Sequence, residues 1–296
     1  MAKVTKIDWS DSSWNPVTGC NNGCDYCYAA EMVKRFSGEN KDHWCKIEGN
    51  ELLSHICTAT VNYRKQNDDR NIFELEERIY TKTKKGKLLA NPYPYGFAPT
   101  FHRYRLDVPQ KWKEPRNIFV CSMADLFDMR LPQKWVETVL EVCAAAPQHR
   151  YLFLTKNYNA YAAWYFERYG SGTGRIPKQQ PANGVRMYFG MSAANNEQLR
   201  KANMSYNGAD WISIEPMQEA IDTRLIYREG EYPRWKWVVI GSETKNGQPV
   251  NPPKREWVAE IVDVCKNVGV PVFLKGSLAE VWEEPLIQEY PWEVKS

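Results

Sequence analysis

Three cysteines fall within one short stretch, Cys20-Asn21-Asn22-Gly23-Cys24-Asp25-Tyr26-Cys27. Spacings of this kind let a single loop offer three thiolates to three corners of one metal cluster, leaving the fourth corner without a local thiolate. Any fold for this chain must present that loop. Two other readings stay open on the residues alone. Close-set cysteines hold structural zinc when a fourth ligand is at hand, and His43, Cys45 and Cys57 are within sequence reach. Disulfide pairing is the third.

Composition narrows the setting. The 296 residues suit a single domain over 1–296 that carries a substantial insertion. A hydrophobic content of 43% supplies a real core. There is no apolar N-terminal run and no stretch approaching a membrane span, and the other cysteines are scattered. A cytoplasmic, reducing location without membrane attachment is the expectation. A net charge of +3 permits nucleic acid as a partner without requiring it. The 12 Trp and 17 Tyr could stack on bases, and packing in the core is the ordinary use of such residues.

Residues 4–18 read as an extended approach to the cysteine loop, and Tyr28 to Phe36 as a helix leaving it. Residues 37–98 change character and are read as an inserted cap, with a helix over Glu51–Gln66. A basic run, Lys82 to Lys87, reads as a solvated or phosphate-contacting loop. From residue 100 onward, short apolar runs recur at Ile118–Cys121, Tyr151–Leu154, Arg186–Met191, Trp211–Ile214, Trp237–Ile240 and Pro271–Leu274. Their near-continuous apolar character predicts parallel strands buried on both faces. Trp135 to Cys143 and Trp257 to Cys265 share one helical pattern, with Cys143 and Cys265 on the apolar side. The fold class expected is therefore α/β, a partial (β/α)6 TIM-like barrel.

In such a barrel the C-terminal strand ends form the functional rim. They deliver Ser122 and Asp125, Lys156, Ser192, Glu215, Glu243 and Lys275, with the cysteine loop on the same rim. Carboxylates there could bind ribose hydroxyls or an ammonium group, and Lys156 and Lys275 a carboxylate or phosphate.

The C-x3-C-x2-C spacing, with aromatic Tyr26 before the last cysteine, resembles the cluster loop of the radical S-adenosylmethionine (SAM) superfamily. Further segments resemble a phage- and prophage-associated family of radical-SAM-like proteins with a domain of unknown function. They are Ile7–Trp9, Trp14–Cys20, Phe119–Phe127, Leu152–Asn157, Ser213–Met217, Trp237–Glu243 and Gly269–Gly276. The resemblance implies a partial barrel of the radical SAM type with Cys20, Cys24 and Cys27 holding a 4Fe–4S cluster. It also implies SAM as cofactor, contacted by Tyr26, Ser122, Asp125 and Ser192, with Lys156, Glu215, Glu243 and Lys275 as catalytic residues. A Gly-Gly-Glu-like motif expected near Ser122–Asp125 is absent, and Gly241-Ser242-Glu243 resembles it late in the chain. Partners implied are SAM, an electron donor such as flavodoxin or ferredoxin, and a DNA or nucleobase-derived substrate undergoing repair or modification. A peptide or small-metabolite substrate is an alternative, as is a non-catalytic, zinc-stabilised nucleic-acid-binding protein.

Overall fold

The computed structural model describes residues 5, 7–37, 44–46, 52–54, 60–62, 72–158, 185–204, 209–245 and 247–293. The chain divides into two compact units. One, the sheet unit, comprises residues 1–12, 116–119 and 148–296; the other, the cysteine unit, comprises 13–115 and 120–147.

Seven strands form one sheet: β1 (Ser12–Trp14), β2 (Asn117–Val120), β3 (Arg150–Thr155), β4 (Arg186–Ala193), β5 (Trp211–Ile214), β6 (Trp237–Ile240) and β7 (Val272–Leu274). They lie in chain order in a single line, and each pairing from β2 to β7 is parallel. This corrects the expected fold. The described residues do not form a six-stranded partial TIM-like barrel of the radical SAM type; they form a seven-stranded parallel sheet. Strand β1 lies inside the extended segment expected to lead, as a first strand, into the cysteine loop. At three residues it is too short for an apolar run to announce it.

Within the sheet unit, parallel register puts paired residues on the same face. Leu154, Gly190, Trp211 and Trp237 form one row, and Ser192, Ser213, Val239 and Phe273 the next. Trp9 packs on this face. Its ring lies 4.7 Å from Phe119, 5.3 Å from Trp211 and 6.3 Å from Trp237. Together with Leu152, Val239 and Phe273 these side chains form one buried cluster. Among the described residues, three of the five fully buried tryptophans are therefore used in this packing. Helix α3 (Asn196–Met204) lies between β4 and β5, and α4 (Arg255–Asn267) between β6 and β7. Helix α4 buries Val258, Ile261, Val262 and Cys265, one stripe at helical spacing.

The cysteine unit contains α1 (Tyr28–Phe36) and α2 (Gln133–Ala145). Helix α1 packs Ala29 and Val33 with Met123, beside Tyr93 and Phe97. Cys143 on α2 is fully buried, as its pattern predicts. Short strands occupy the described parts of residues 37–98. The helix expected over Glu51–Gln66 is corrected where it can be seen, because Leu52–Ser54 and Thr60–Asn62 are strands; its other residues lie outside the described ones, as do His43 and Cys57. The basic run turns an antiparallel hairpin between Ile79–Lys82 and Leu88–Ala90. Among the described residues no helix is long and apolar enough to cross a membrane.

Gly190 shows how tightly the sheet unit is filled. A Cβ there would stand 2.3 Å from the Trp211 ring. Gly190→Ala should destabilise the protein by about 1–3 kcal/mol, the usual cost of overpacking, read as a lower urea midpoint. An unchanged midpoint would show that the Trp211 ring is free to move.

Candidate functional site

The cysteine loop is fixed at both ends. Gly19 enters it with φ +83°, and a Cβ there would lie 2.3 Å from the Ala98 carbonyl oxygen. Only glycine fits this approach, since it combines a left-handed backbone with backbone contact. The Gly19 N–H donates to the Met123 carbonyl at 2.9 Å and the Cys20 N–H to that of Phe97 at 3.2 Å. At the far end Cys27 is the N-cap of α1, and its Sγ accepts from the Ala30 N–H at 3.4 Å. The helix N-terminus favours negative charge at this end of the loop.

Between these ends, Asn22 braces the loop. Its N–H donates to Cys20 Sγ at 3.4 Å, and its Nδ2 to Asp125 Oδ2 at 2.8 Å. Asp125 is buried and also accepts from the Phe127 N–H at 3.2 Å. Arg130 reaches Asn22 Oδ1 at 3.4 Å and forms a forked ion pair with buried Asp128. Ser122 donates its hydroxyl to Asn15 Oδ1 at 3.1 Å, and its carbonyl accepts from the Tyr28 hydroxyl. Tyr26 is half-buried on the same loop.

Burial pushes the Cys20 thiol up to about 12; the Asn22 N–H opposes this, and negative charge on Asp125, Cys24 and Cys27 adds to it. Cys20 therefore resists ionising beside charged neighbours unless a cation compensates. A metal centre supplies that cation and deprotonates its thiols outright. The donor set thus fits a metal centre. Among the described residues no group of three His, Cys, Asp or Glu side chains is placed to hold one metal ion.

The other predicted residues belong to the sheet unit. Two steps beyond the row of Ser213, Val239 and Phe273, alternation puts Glu215, Gly241 and Lys275 on the same face. Lys275 Nζ forms an ion pair with Glu215 Oε1, both side chains mostly shielded from water. A Cβ on Gly241 would lie 3.0 Å from Lys275 Cδ and 3.1 Å from Glu215 Cδ, so the missing side chain makes room for the pair. Nearby on β3 and β4, Lys156 Nζ donates to Ser192 Oγ at 2.6 Å, and the Tyr158 hydroxyl to the Ser192 carbonyl at 2.6 Å. Ser213 Oγ, fully buried in the same row as Ser192, has no hydrogen-bond partner. Glu243 is not drawn into this group; it opens a separate hairpin opposite Val250. Asn195, at another strand end, accepts from the Gln198 N–H at 3.0 Å and starts α3.

Sequence reasoning passed over Asn15, Asn22, Tyr158 and Ser213. Asn15 and Asn22 flank the cysteines and could have been suspected as turn formers. Ser213 inside an apolar run gave no signal at all.

These features define an α/β protein with a chain-ordered parallel sheet, a charged strand-end cluster and a three-cysteine loop that caps a helix. The chain belongs to the family described as "Protein of unknown function (DUF5131)", which matches residues 4–283. No curated protein and no solved structure matches it.

The ion pair yields a direct test. Lys275→Met leaves the Glu215 carboxylate shielded and unpaired, which should cost about 1–3 kcal/mol. Adding Glu215→Gln should recover part of that loss. Urea unfolding of the two single variants and the double variant measures the coupling, and strict additivity would show the pair to be inert.

Proposed function

We propose that the cysteine loop holds a 4Fe–4S cluster and that the protein is a cytoplasmic radical SAM enzyme. The observation that carries this reading is the thiol set itself: three cysteines of one loop, with Cys27 at a helix N-terminus. When bound, such a cluster supplies one-electron chemistry that turns SAM into a hydrogen-abstracting agent.

The chain's own residues divide the remaining work. Cys20, Cys24 and Cys27 are the metal ligands. Asn22 and Asp125 hold the loop in place through the bond between them. In the cysteine unit Tyr26, Ser122 and Asp125 are the proposed SAM-contacting residues. Lys156 and Lys275 offer positive charge to a carboxylate or phosphate, while Glu215 offers an acceptor to an ammonium or hydroxyl group. In this reading a zwitterionic ligand can exchange the Lys275–Glu215 pair for one contact to each side chain. Glu243 stands on its own hairpin and can act only from there.

The substrate proposed is nucleic acid or a nucleobase derivative, with flavodoxin or ferredoxin as electron donor. The net charge of +3 and the lysine-tipped hairpin support it. The aromatic count does not, because Trp9, Trp14, Trp135, Trp211 and Trp237 are all buried in packing.

Metal analysis of anaerobically purified protein tests the reading. About four irons and four sulfides per chain, with brown absorbance, are expected for a three-cysteine cluster. Both should vanish when Cys20, Cys24 and Cys27 are all replaced by Ala. Zinc without sulfide, persisting after anaerobic reconstitution, would overturn the cluster and the radical chemistry together.

A further inference from the structure

The cysteine unit has a second polar concavity, at the open end of the hairpin formed by Ile79–Lys82 and Leu88–Ala90. A pocket of about 160 Å³ is lined there by Arg78, Ala90, Asn91, Pro92, Tyr104 and Arg105. Two of these six side chains are guanidinium groups and none is a carboxylate. Arg78 immediately precedes the first hairpin strand and Asn91 follows the second. The Asn91 N–H closes the hairpin by donating to the Ile79 carbonyl at 2.8 Å.

Both cations are organised by one ring. The Arg78 and Arg105 guanidinium carbons lie 5.6 Å and 5.4 Å from the Tyr104 centroid. Arg105 is anchored: it donates to the Asn15 carbonyl at 2.9 Å, the Pro92 carbonyl at 3.3 Å and the Tyr104 hydroxyl at 3.2 Å. Arg78 is exposed and forms no ion pair among the described residues. Two like charges gathered at one ring repel each other, and an anion between them removes that repulsion.

The wall adds a donor. Asn91 is buried, and its Oδ1 accepts from the Tyr93 N–H at 3.1 Å. That bond assigns the oxygen to Tyr93 and leaves Nδ2 as the remaining end of the amide, which has no partner. A buried donor of this kind ordinarily finds an acceptor.

We propose that this pocket binds a tetrahedral oxyanion of phosphate type, either inorganic phosphate or the terminal phosphate of an ester. Guanidinium forks match the oxygen geometry of phosphate and are always charged. The volume is below the roughly 300–1,000 Å³ of pockets for drug-sized ligands, which suits a single compact anion. The lysines at the hairpin tip, Lys82, Lys84, Lys85 and Lys87, are exposed and add positive charge to the same hairpin. The proposal does not rest on what the cysteine loop holds.

Calorimetry on the full chain at low salt tests it with three probes: inorganic phosphate, a 5′-phosphorylated dinucleotide and the same dinucleotide with a 5′-hydroxyl. Saturable phosphate binding is expected. Arg78→Gln should weaken it about tenfold, the loss of one charge-assisted contact. Asn91→Asp keeps the acceptor for Tyr93 and sets a negative charge behind the pocket, and should weaken binding at least as much. Arg78 is exposed, so its replacement leaves thermal unfolding unchanged and isolates the binding effect. Tighter binding of the phosphorylated dinucleotide than of phosphate identifies an ester as the source; equal or weaker binding identifies the free anion. No saturable binding of either phosphate probe, or wild-type affinity in Arg78→Gln, overturns the site.

Discussion

Packing on one face of the parallel sheet governs the sheet unit. Parallel strands have to be covered on both faces. Here one cover is Trp9, laid against Phe119, Trp211 and Trp237. Aromatic side chains of this size contribute about 3–5 kcal/mol each when buried, judged by their replacement with Ala. Their positions fix register, because a slip of one residue would turn Trp211 and Trp237 away from Trp9. Once register is fixed, alternation leaves no choice about the strand ends. The face that carries Trp211 carries Ser213 and then Glu215; the face that carries Phe273 carries Lys275 next. The charged cluster is thus a consequence of aromatic packing further down the same strands.

The cysteine unit obeys a different constraint, that of backbone placement. Among the described residues only a small cluster, Ala29, Val33 and Met123, packs beside the loop. The loop is held by hydrogen bonds to main-chain atoms of Phe97 and Met123 and by the Asn22–Asp125 bond. Such a frame tolerates little change at Gly19 or Asn22, yet leaves the sulfurs only partly covered. Under the proposed reading, partial cover leaves the sulfurs open to a metal centre.

Legibility in the sequence followed from these two constraints. Six strands could be read because strands covered on both faces consist of apolar runs, as in Trp211–Ile214 and Trp237–Ile240. The seventh, Ser12–Trp14, carries a single large apolar residue and no run. Only its extended character and place before the cysteine loop suggest it, and strand runs by themselves do not distinguish a barrel from the seven-stranded sheet that stands here. Residues 52–54 and 60–62 misled for the opposite reason: mixed polarity over a short span fits a helix face as readily as a strand. The cysteines and most strand-end residues could be located from spacing alone. Asn22, Tyr158 and Ser213 could not, because their roles depend on partners 103 residues away, 34 residues away, or on having none.

The Lys275–Glu215 pair is hard to explain as a stabilising device. Shielding two charges from water costs several kcal/mol per ion before their attraction returns any of it, and apolar residues often fill such a space equally well. Stability alone would favour leucine-like side chains above Val239 and Phe273. Instead, the chain places opposite charges there and removes the side chain between them at Gly241, so that both fit. One row below, Ser213 is buried without a partner, a further expense with no structural return. Ion pairs and orphaned hydroxyls of this kind concentrate where a protein keeps polar groups ready for something it binds. The cost falls in the same two rows of one face, directly above the aromatic packing rigid enough to bear it.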